Sequence, residues 1–323
     1  MYSWVIKRLR RTYELVLQRE IGNGPTHVAV IQDGNRRYAR KQGQETPSGH
    51  RAGADTSEQV LNWCEEFDIQ ELTLYAFSTE NFNRPPDERG PLFDLIESKL
   101  YELADSDRVH NTGVCIRALG EIDRLPQRVQ DAIEYAERRT ASHDQFRLNV
   151  ALAYGGRNEL LRAAREVTAA VENEELEPQE VDTETIEQYL YRQPIRDVDL
   201  IIRTGGDERT SNFLPWHANG NEAAAYFCAP YWPEFSKIDF LRAIRTYEAR
   251  EESWQRTKIE RSVALARALG QTELEDAQAV GRRLCEQLPR RAAQKVTAAL
   301  STDNSSSAGT TTEADQPSTE PAD

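Results

Sequence analysis

Residues 28–43, VAVIQDGNRRYARKQG, run from an unbroken apolar stretch into Asp33, Gly34 and Asn35 and then into a cluster of arginines. Two physical readings compete. Asp-Gly and Asn-containing turns favour a two-residue hairpin, but residues 36–42, RRYARKQ, fit a helix and not a returning strand. The alternative is an anion site. Gly34 lets backbone approach a ligand, a following helix start offers unpaired N–H groups, and Arg36 and Arg37 add charge-assisted donors for phosphate oxygens. Asp33 would repel a bare phosphate; its presence makes sense if a hard cation such as Mg²⁺ bridges carboxylate and diphosphate.

Comparable clusters follow other apolar runs. Ser78-Thr79-Glu80-Asn81-Phe82-Asn83-Arg84-Pro85 follows one, Tyr154-Gly155-Gly156-Arg157-Asn158 another, and Arg203-Thr204-Gly205-Gly206-Asp207 a third, with Arg209, Thr210 and Ser211 close behind. Arg84, Arg203 and Arg209 with Ser211 suit a second anion, so two diphosphates side by side are expected, one reacting with the other. Taken singly, each arginine fits an ordinary surface ion pair as well. Of five histidines, His50 is expected to touch phosphate, His27 to make a structural polar contact, and His110, His143 and His217 to be surface or structural.

The elements that must position these residues are legible as alternating patterns. Expected strands cover His27–Gln32, Glu71–Ser78, Val114–Leu119, Arg147–Tyr154, Asp199–Arg203 and Ala224–Ala229. Helical stretches cover 53–67, 91–110, 124–142, 157–173, 183–191 and 239–268. Such alternation predicts an α/β domain with a parallel sheet, its strands apolar on both faces. Ligands of such a sheet bind beyond the carboxyl ends of its strands, where all four clusters fall.

Composition bounds the rest. The net charge of −14 argues against general nucleic-acid binding. Only six of the 40 basic residues are Lys, and this acidic, lysine-poor balance predicts adaptation to high salt. No run of eighteen apolar residues and no secretion signal is visible, so a cytoplasmic chain is expected. Its cysteines, Cys64, Cys115, Cys228 and Cys285, are scattered, and are expected as buried free thiols. Residues 1–21 form a basic amphipathic helix that either packs on the protein or lies on the inner face of the cell membrane. One α/β domain is expected over 22–268, a helical extension over 269–300, and a disordered acidic Ser/Thr-rich tail over 301–323.

The segments HVAVIQDGNRR (27–37), GHRAG (49–53), LYAFSTEN (74–81), NRP (83–85), NVALAYGGRN (149–158), RTGG (203–206), RTSNF (209–213) and YWPEF (231–235) are collinear over about residues 27–250. Together they resemble the cis-prenyltransferases, the undecaprenyl diphosphate synthase-like enzymes, of archaeal type. The resemblance implies repeated addition of isopentenyl diphosphate to an allylic diphosphate, geranylgeranyl diphosphate being favoured, with Z double bonds. The product would be a long polyprenyl diphosphate, precursor of a glycosyl carrier lipid. It implies a homodimer, a sheet of about six parallel strands flanked by helices, and a hydrophobic tunnel walled by 91–110 and 124–142.

By the same resemblance Asp33 holds Mg²⁺, and Gly34, Asn35, Arg36, Arg37 and His50 cradle the allylic diphosphate. Arg84, Arg203, Arg209 and Ser211 hold isopentenyl diphosphate, Ser78, Thr79, Glu80 and Thr210 belong to the substrate site, and Asn81 assists proton removal. The sequence departs from the family pattern in places. Arg36 stands where many members have Gly, and Tyr38 and Phe82 occupy positions often Trp. Thr46 replaces a phosphate-binding Arg, leaving one contact absent or supplied by Arg36. Glu222 fits the second metal position counted from Trp216, whereas a count from Tyr226-Phe227 falls on Ala224. A non-catalytic subunit of a heteromeric enzyme is the alternative; such a subunit should lack the metal Asp or the phosphate arginines. A phosphate-binding hydrolase would need a nucleophile–base pair, and none is evident.

Overall fold

The computed structural model describes residues 2–191, 195–218 and 223–254. Glu222, Cys285 and the segments expected at 269–300 and 301–323 therefore lie outside the described residues, as does the end of the helix expected over 239–268. The chain divides into two units, Met1–Glu252 and Ser253–Asp323, and all that follows concerns the first.

Six strands form its sheet: β1 (His27–Ile31), β2 (Glu71–Tyr75), β3 (Val114–Leu119), β4 (Phe146–Ala151), β5 (Leu200–Arg203) and β6 (Ala224–Phe227). All pair in parallel, in the order β3-β4-β2-β1-β5-β6. The helices are α1 (Tyr2–Glu20), α2 (Asn35–Lys41), α3 (Thr46–Glu66), α4 (Pro86–Asp105), α5 (Asp107–Asn111), α6 (Gln127–Thr140), α7 (Gly156–Glu172), α8 (Thr183–Leu190) and α9 (237–254).

Parallel strands need crossovers, and these cover both faces of the sheet. Val28, Val30, Leu200 and Ile202 join a core with α3, α4, α6 and α9, while Ala29, Ile31 and Ile201 join a second core with α7 and α8. The two-residue period of a strand thus feeds two apolar layers, which is why these strands read as continuous apolar runs.

Element ends differ from expectation for local reasons. β2 stops at Tyr75 because the amides of Ala76 and Phe77 both turn to the Ala151 carbonyl, at 3.1 Å each. α3 begins seven residues before expectation, with Pro47 in its first turn behind an extended Glu45. α4 ends at Asp105, where extended Ser106 breaks the helix before the short α5 begins at Asp107.

α1 packs on the body through buried Leu17, and through ion pairs of Glu14 with Lys237 (3.6 Å) and Glu20 with Arg245 (3.0 Å). Its Leu9, Leu15 and Val16 are exposed. Cys64 and Cys115 are buried free thiols, and Cys228 is half-buried. His27 is buried between the Thr73 hydroxyl (2.8 Å) and the Arg196 carbonyl (2.9 Å), the structural contact expected of it. His217 is buried beside Asp197, and His110 and His143 contact each other at 3.3 Å.

The GHRAG segment owes its glycines to the crossing of α2 and α3. A Cβ on Gly49 would sit 2.2 Å from the Asn35 carbonyl oxygen, and one on Gly53 would sit 2.4 Å from Asn35 Oδ1. Trp232 closes the same junction, its indole N–H donating to the Gly53 carbonyl at 2.7 Å. Gly49→Ala must therefore push apart two backbones, and a loss of about 1–3 kcal/mol is expected, read as a lower denaturation midpoint in urea.

Candidate active site

Strand order reverses between β1 and β5, the point at which an open parallel sheet leaves a crevice at its carboxyl end. Register places Ile31 opposite Arg203, so the residues just past β1 meet the end of β5. The Thr204 hydroxyl accepts from the Asp33 amide (3.1 Å) and donates to the Asp33 carbonyl (2.7 Å). The Asp33 carboxylate lies between two guanidinium groups: Arg37 donates to Oδ1 and Arg203 to Oδ2, each at 2.8 Å. Burial opposes ionisation of Asp33, but these hydrogen bonds outweigh it and hold the carboxyl below its ordinary pKa. Arg37 also donates to the Gly205 carbonyl (2.8 Å) and lies 5.3 Å from the Tyr231 ring centroid. Gly34 adopts φ 106°, and a Cβ there would meet the Tyr231 ring at 2.7 Å.

Arg203 is 4% exposed and shapes the loop that follows it. It donates to Asp207 (2.9 Å), to the Arg209 carbonyl (2.7 Å) and to the Ser211 hydroxyl. Holding Ser211 there draws Ser211, Asn212 and Leu214 into the left-handed region, with φ of 49°, 61° and 46°. Such backbone is uncommon for residues other than glycine, and it persists only where its surroundings enforce it. Asn212 is held in turn, its Oδ1 accepting from the Arg157 amide and its carbonyl from the Gly156 amide. Arg209 stays largely exposed, 3.4 Å from Asp207, and Thr210 is exposed beside it. Nε of Arg203 is buried without a partner, a donor left over for an anion.

Past β2, Ser78 and Asn81 form a reciprocal cap on a 3-10 turn over Thr79–Asn83, with Asn81 Oδ1 accepting from the Ser78 amide at 3.1 Å. The Asn81 carbonyl oxygen therefore has a structural task, and its amide nitrogen remains for a ligand. The Thr79 amide bonds to the Tyr154 carbonyl (2.9 Å), and Glu80 is exposed. Phe82 packs edge-on against Phe77 beneath Arg124. Arg84, which ends this turn, reaches His50 Nε2 at 3.5 Å. Burial, with Arg84 and Arg36 nearby, pushes the His50 pKa down to about 4. His50 is therefore a neutral imidazole at the rim of the site.

The Arg36 guanidinium pairs with Glu88 at 3.0 Å and lies close enough to His50 and Arg84 to act on both electrostatically. Thr46 starts α3, and Tyr38 is half-buried on α2. Thr204, Asp207 and Tyr231 complete the cluster and were not among the expected site residues. The position of Thr204, immediately after Arg203 at a strand end, was the available signal.

Beside this polar crevice lies an apolar cavity of about 120 Å³, with Gln32, Asn35 and His50 at its polar end. Leu61 of α3, Leu92 and Leu100 of α4, Leu74 of β2 and Leu148 of β4 line its interior. The wall expected from 91–110 is present as α4, but the one expected from 124–142 is not. Val129, Ala132, Ile133 and Ala136 of α6 are buried in the core behind α4 and β3, so α6 supports the wall without lining it. Asn35 Oδ1 is buried without a partner where the cavity meets the crevice.

Among the described residues no three His, Cys, Asp or Glu side chains form a ready cation cage. Mg²⁺ commonly uses one or two carboxylates plus substrate phosphates and water. Asp33, ionised and partly exposed, fits that role.

A strand-end arginine cluster at a topological switch point of an α/β sheet, beside an apolar cavity, can take an anionic head and a hydrocarbon tail together. The chain belongs to the undecaprenyl diphosphate synthase-like cis-prenyltransferase family: residues 31–255 match its model, described as putative undecaprenyl diphosphate synthase. It is 65% identical over 277 residues to a Haloarcula marismortui protein named tritrans,polycis-undecaprenyl-diphosphate synthase (geranylgeranyl-diphosphate specific), covering 86% of this chain and 91% of that one. A Methanosarcina mazei protein of the same name is 48% identical over 251 residues, 76% of this chain and 84% of that one. Among solved structures, lavandulyl diphosphate synthase from Lavandula x intermedia, in complex with dimethylallyl diphosphate, aligns with TM-score 0.64 and 34% identity. That alignment covers 69% of this chain and 95% of that one.

His50 supplies a check on the electrostatics. Its folded pKa lies below the ordinary ~6.5, so between those values the unfolded chain binds the proton and the folded chain does not. Stability should fall as pH drops through that window, with an imidazole NMR titration centred near 4. His50→Gln should remove this part of the slope.

Proposed function

We propose that the protein is a Mg²⁺-dependent cis-polyprenyl diphosphate synthase that extends geranylgeranyl diphosphate with several isopentenyl diphosphate units. The observation carrying this reading is the junction of the Arg37–Asp33–Arg203 cluster with the apolar cavity. A diphosphate at the crevice sends its tail straight into the cavity past Asn35 and His50. The starter is taken from the names of the archaeal relatives, and their product, an undecaprenyl diphosphate, sets the expected length.

In this reading Arg37 holds the allylic diphosphate, and Arg203 with Ser211 and Arg209 holds isopentenyl diphosphate. As the allylic C–O bond breaks, negative charge grows on the departing pyrophosphate, where fixed guanidinium groups stabilise it most. The apolar cavity keeps water from the allylic cation, and its Leu lining fixes the tail. The allylic carbon bonds to the terminal carbon of isopentenyl diphosphate as its C–O bond breaks, and the proton then lost from C2 of that unit, beside Asn81, passes to the departing pyrophosphate; the capping bond to Ser78 holds the Asn81 amide in place. A bound Mg²⁺ would be held by Asp33 and would neutralise diphosphate charge. The intact set of Asp33, Arg37, Arg84, Arg203 and Arg209 supports catalysis over a regulatory role.

The same reading includes a homodimer in the cytoplasm and contact between α1 and an anionic membrane. Exposed Leu9, Leu15 and Val16 share that helix with exposed Arg11 and Arg19. No helix among the described residues is long and apolar enough to cross a membrane. Flotation with phosphatidylglycerol vesicles should carry the protein upward, and Leu9→Glu with Val16→Glu should leave it at the bottom; equal flotation of both removes α1 from the membrane.

With Mg²⁺ and labelled isopentenyl diphosphate, the purified full chain should form a long lipid that becomes dephosphorylated on phosphatase treatment. Asp33→Asn keeps side-chain volume and should lower turnover by on the order of 10²-fold or more. Absence of elongation from C10, C15 and C20 starters by folded protein would refute the proposal.

A further inference from the structure

Side chains alternate along β1, and Val28 and Val30 face the core that the strand shares with α3 and α4. Gln32 is the next residue of that row, just past the end of the strand, and brings an amide where Val28 and Val30 bring hydrocarbon. It lines the polar end of the apolar cavity, together with Asn35, His50 and Ser57. The residue after it is Asp33, whose carboxylate binds Arg37 and Arg203. Gln32 therefore stands on the boundary between the charged crevice and the cavity.

A chain of hydrogen bonds fixes which end of this amide faces which way. The Ser57 hydroxyl donates its single proton to the Gly53 carbonyl at 3.0 Å. Towards Gln32 it can then only accept, and it does so from Nε2 at 2.7 Å. The donor end of the amide is spent on α3, which leaves Oε1, the acceptor end, for a ligand. An acceptor oxygen offers nothing to a diphosphate, whose own oxygens are acceptors. What it suits is positive charge.

Resting on the synthase reading, we propose that Gln32 is a catalytic residue whose amide oxygen stabilises positive charge on the allylic unit, and that Ser57 is a positioning residue that holds this amide in orientation. As the allylic C–O bond breaks, its electron pair leaves with the diphosphate oxygen. Positive charge then spreads over C1 and C3 of the allylic unit until C1 bonds to the terminal carbon of isopentenyl diphosphate. With the diphosphate at the arginine cluster and the tail in the cavity, C1 to C3 lie at the boundary that Gln32 occupies. A fixed dipole in apolar surroundings stabilises this charge and does little for the neutral tail before reaction, which is the differential that accelerates the step. A carboxylate in its place would repel the diphosphate and trap the cation as an ester.

Two unreactive analogues of geranylgeranyl diphosphate separate this role from packing. One carries a tertiary ammonium nitrogen in place of C3 and imitates the charge; the other has a saturated C2–C3 bond and is neutral there. Gln32→Leu keeps roughly the side-chain volume without the dipole. In titration calorimetry it should weaken the ammonium analogue by on the order of 10-fold and leave the saturated one within about twofold. In assays of isopentenyl diphosphate incorporation by the full chain, kcat should fall by a similar factor while KM for geranylgeranyl diphosphate stays near that of the parent. Ser57→Ala keeps the glutamine but frees its amide, and should act in the same sense to a smaller extent. Added to Gln32→Leu it should cost nothing further, because it acts through that residue. Ser57→Ala also carries the test by itself if Gln32→Leu does not fold. Equal weakening of both analogues, or an unchanged kcat, would overturn the role of Gln32 while leaving the synthase reading intact. Absence of elongation by the parent itself would overturn that reading, and the role of Gln32 with it.

Discussion

The contact on which the site depends is the one between Asp33 and Arg203 across the reversal in strand order. A guanidinium with 4% exposure must find partners for its donors, because an unpaired buried charge is far more costly than a paired one. Asp33 supplies the first partner, Asp207 the second, and the 203–214 loop wraps back to deliver the Arg209 carbonyl and the Ser211 hydroxyl. The left-handed backbone at Ser211, Asn212 and Leu214 follows from that demand. So does the tie between Thr204 and the Asp33 backbone, which fixes the loop after β1 against the end of β5. Asp33 satisfies Arg37 at the same time, so one carboxylate organises both halves of the crevice.

What the sequence disclosed and what it hid divide along physical lines. The strands were legible because both faces are buried, which leaves unbroken apolar runs such as VAVI. The clusters after them were legible because a polar or glycine-rich break in such a run has few structural explanations. Side-chain partners were not legible. Nothing local to Arg36 says that it will turn to Glu88, 52 residues away, nor to Asn81 that its oxygen will cap Ser78. The wall expected of α6 failed for a related reason. An amphipathic helix announces that it has a buried face but not what that face meets, and α6 meets α4 and β3. Thr204 carries no charge of its own, and its place right after Arg203 at a strand end was the one signal that could have drawn it into the site.

The use of arginine over lysine follows from this architecture. Each guanidinium of the cluster bonds several protein groups at once: Arg203 serves four partners, and Arg37 serves two while turning a flat face to Tyr231. An ammonium has three donors on a point charge and cannot divide itself along a plane. The chain as a whole is acidic, with a net charge of −14, and that charge by itself repels a diphosphate. At molar salt the Debye length shrinks to about 3 Å. Distant carboxylates then matter little, whereas hydrogen-bonded contacts inside the crevice persist. An acidic surface and an anion-binding site are therefore compatible, provided the site works at contact distance.

In the proposed reading, head and tail are held by different parts of the fold. The charged crevice is built from loops after β1, β2 and β5, whose positions are fixed by the sheet and by Arg203. The cavity is built from α3 and α4 standing on β2 and β4, and α4 is held from behind by α6. The two meet at Asn35 and His50, where the glycines of GHRAG bring α3 hard against α2. Because that junction is backbone against backbone, the entrance is the least adjustable part of the route. Farther along, the helices are separated by side chains alone, so their spacing can change without disturbing the diphosphate site. In the proposed reading the reacting heads and the hydrocarbon tail thus occupy separate parts of the fold, and the boundary between them lies at the α2–α3 crossing.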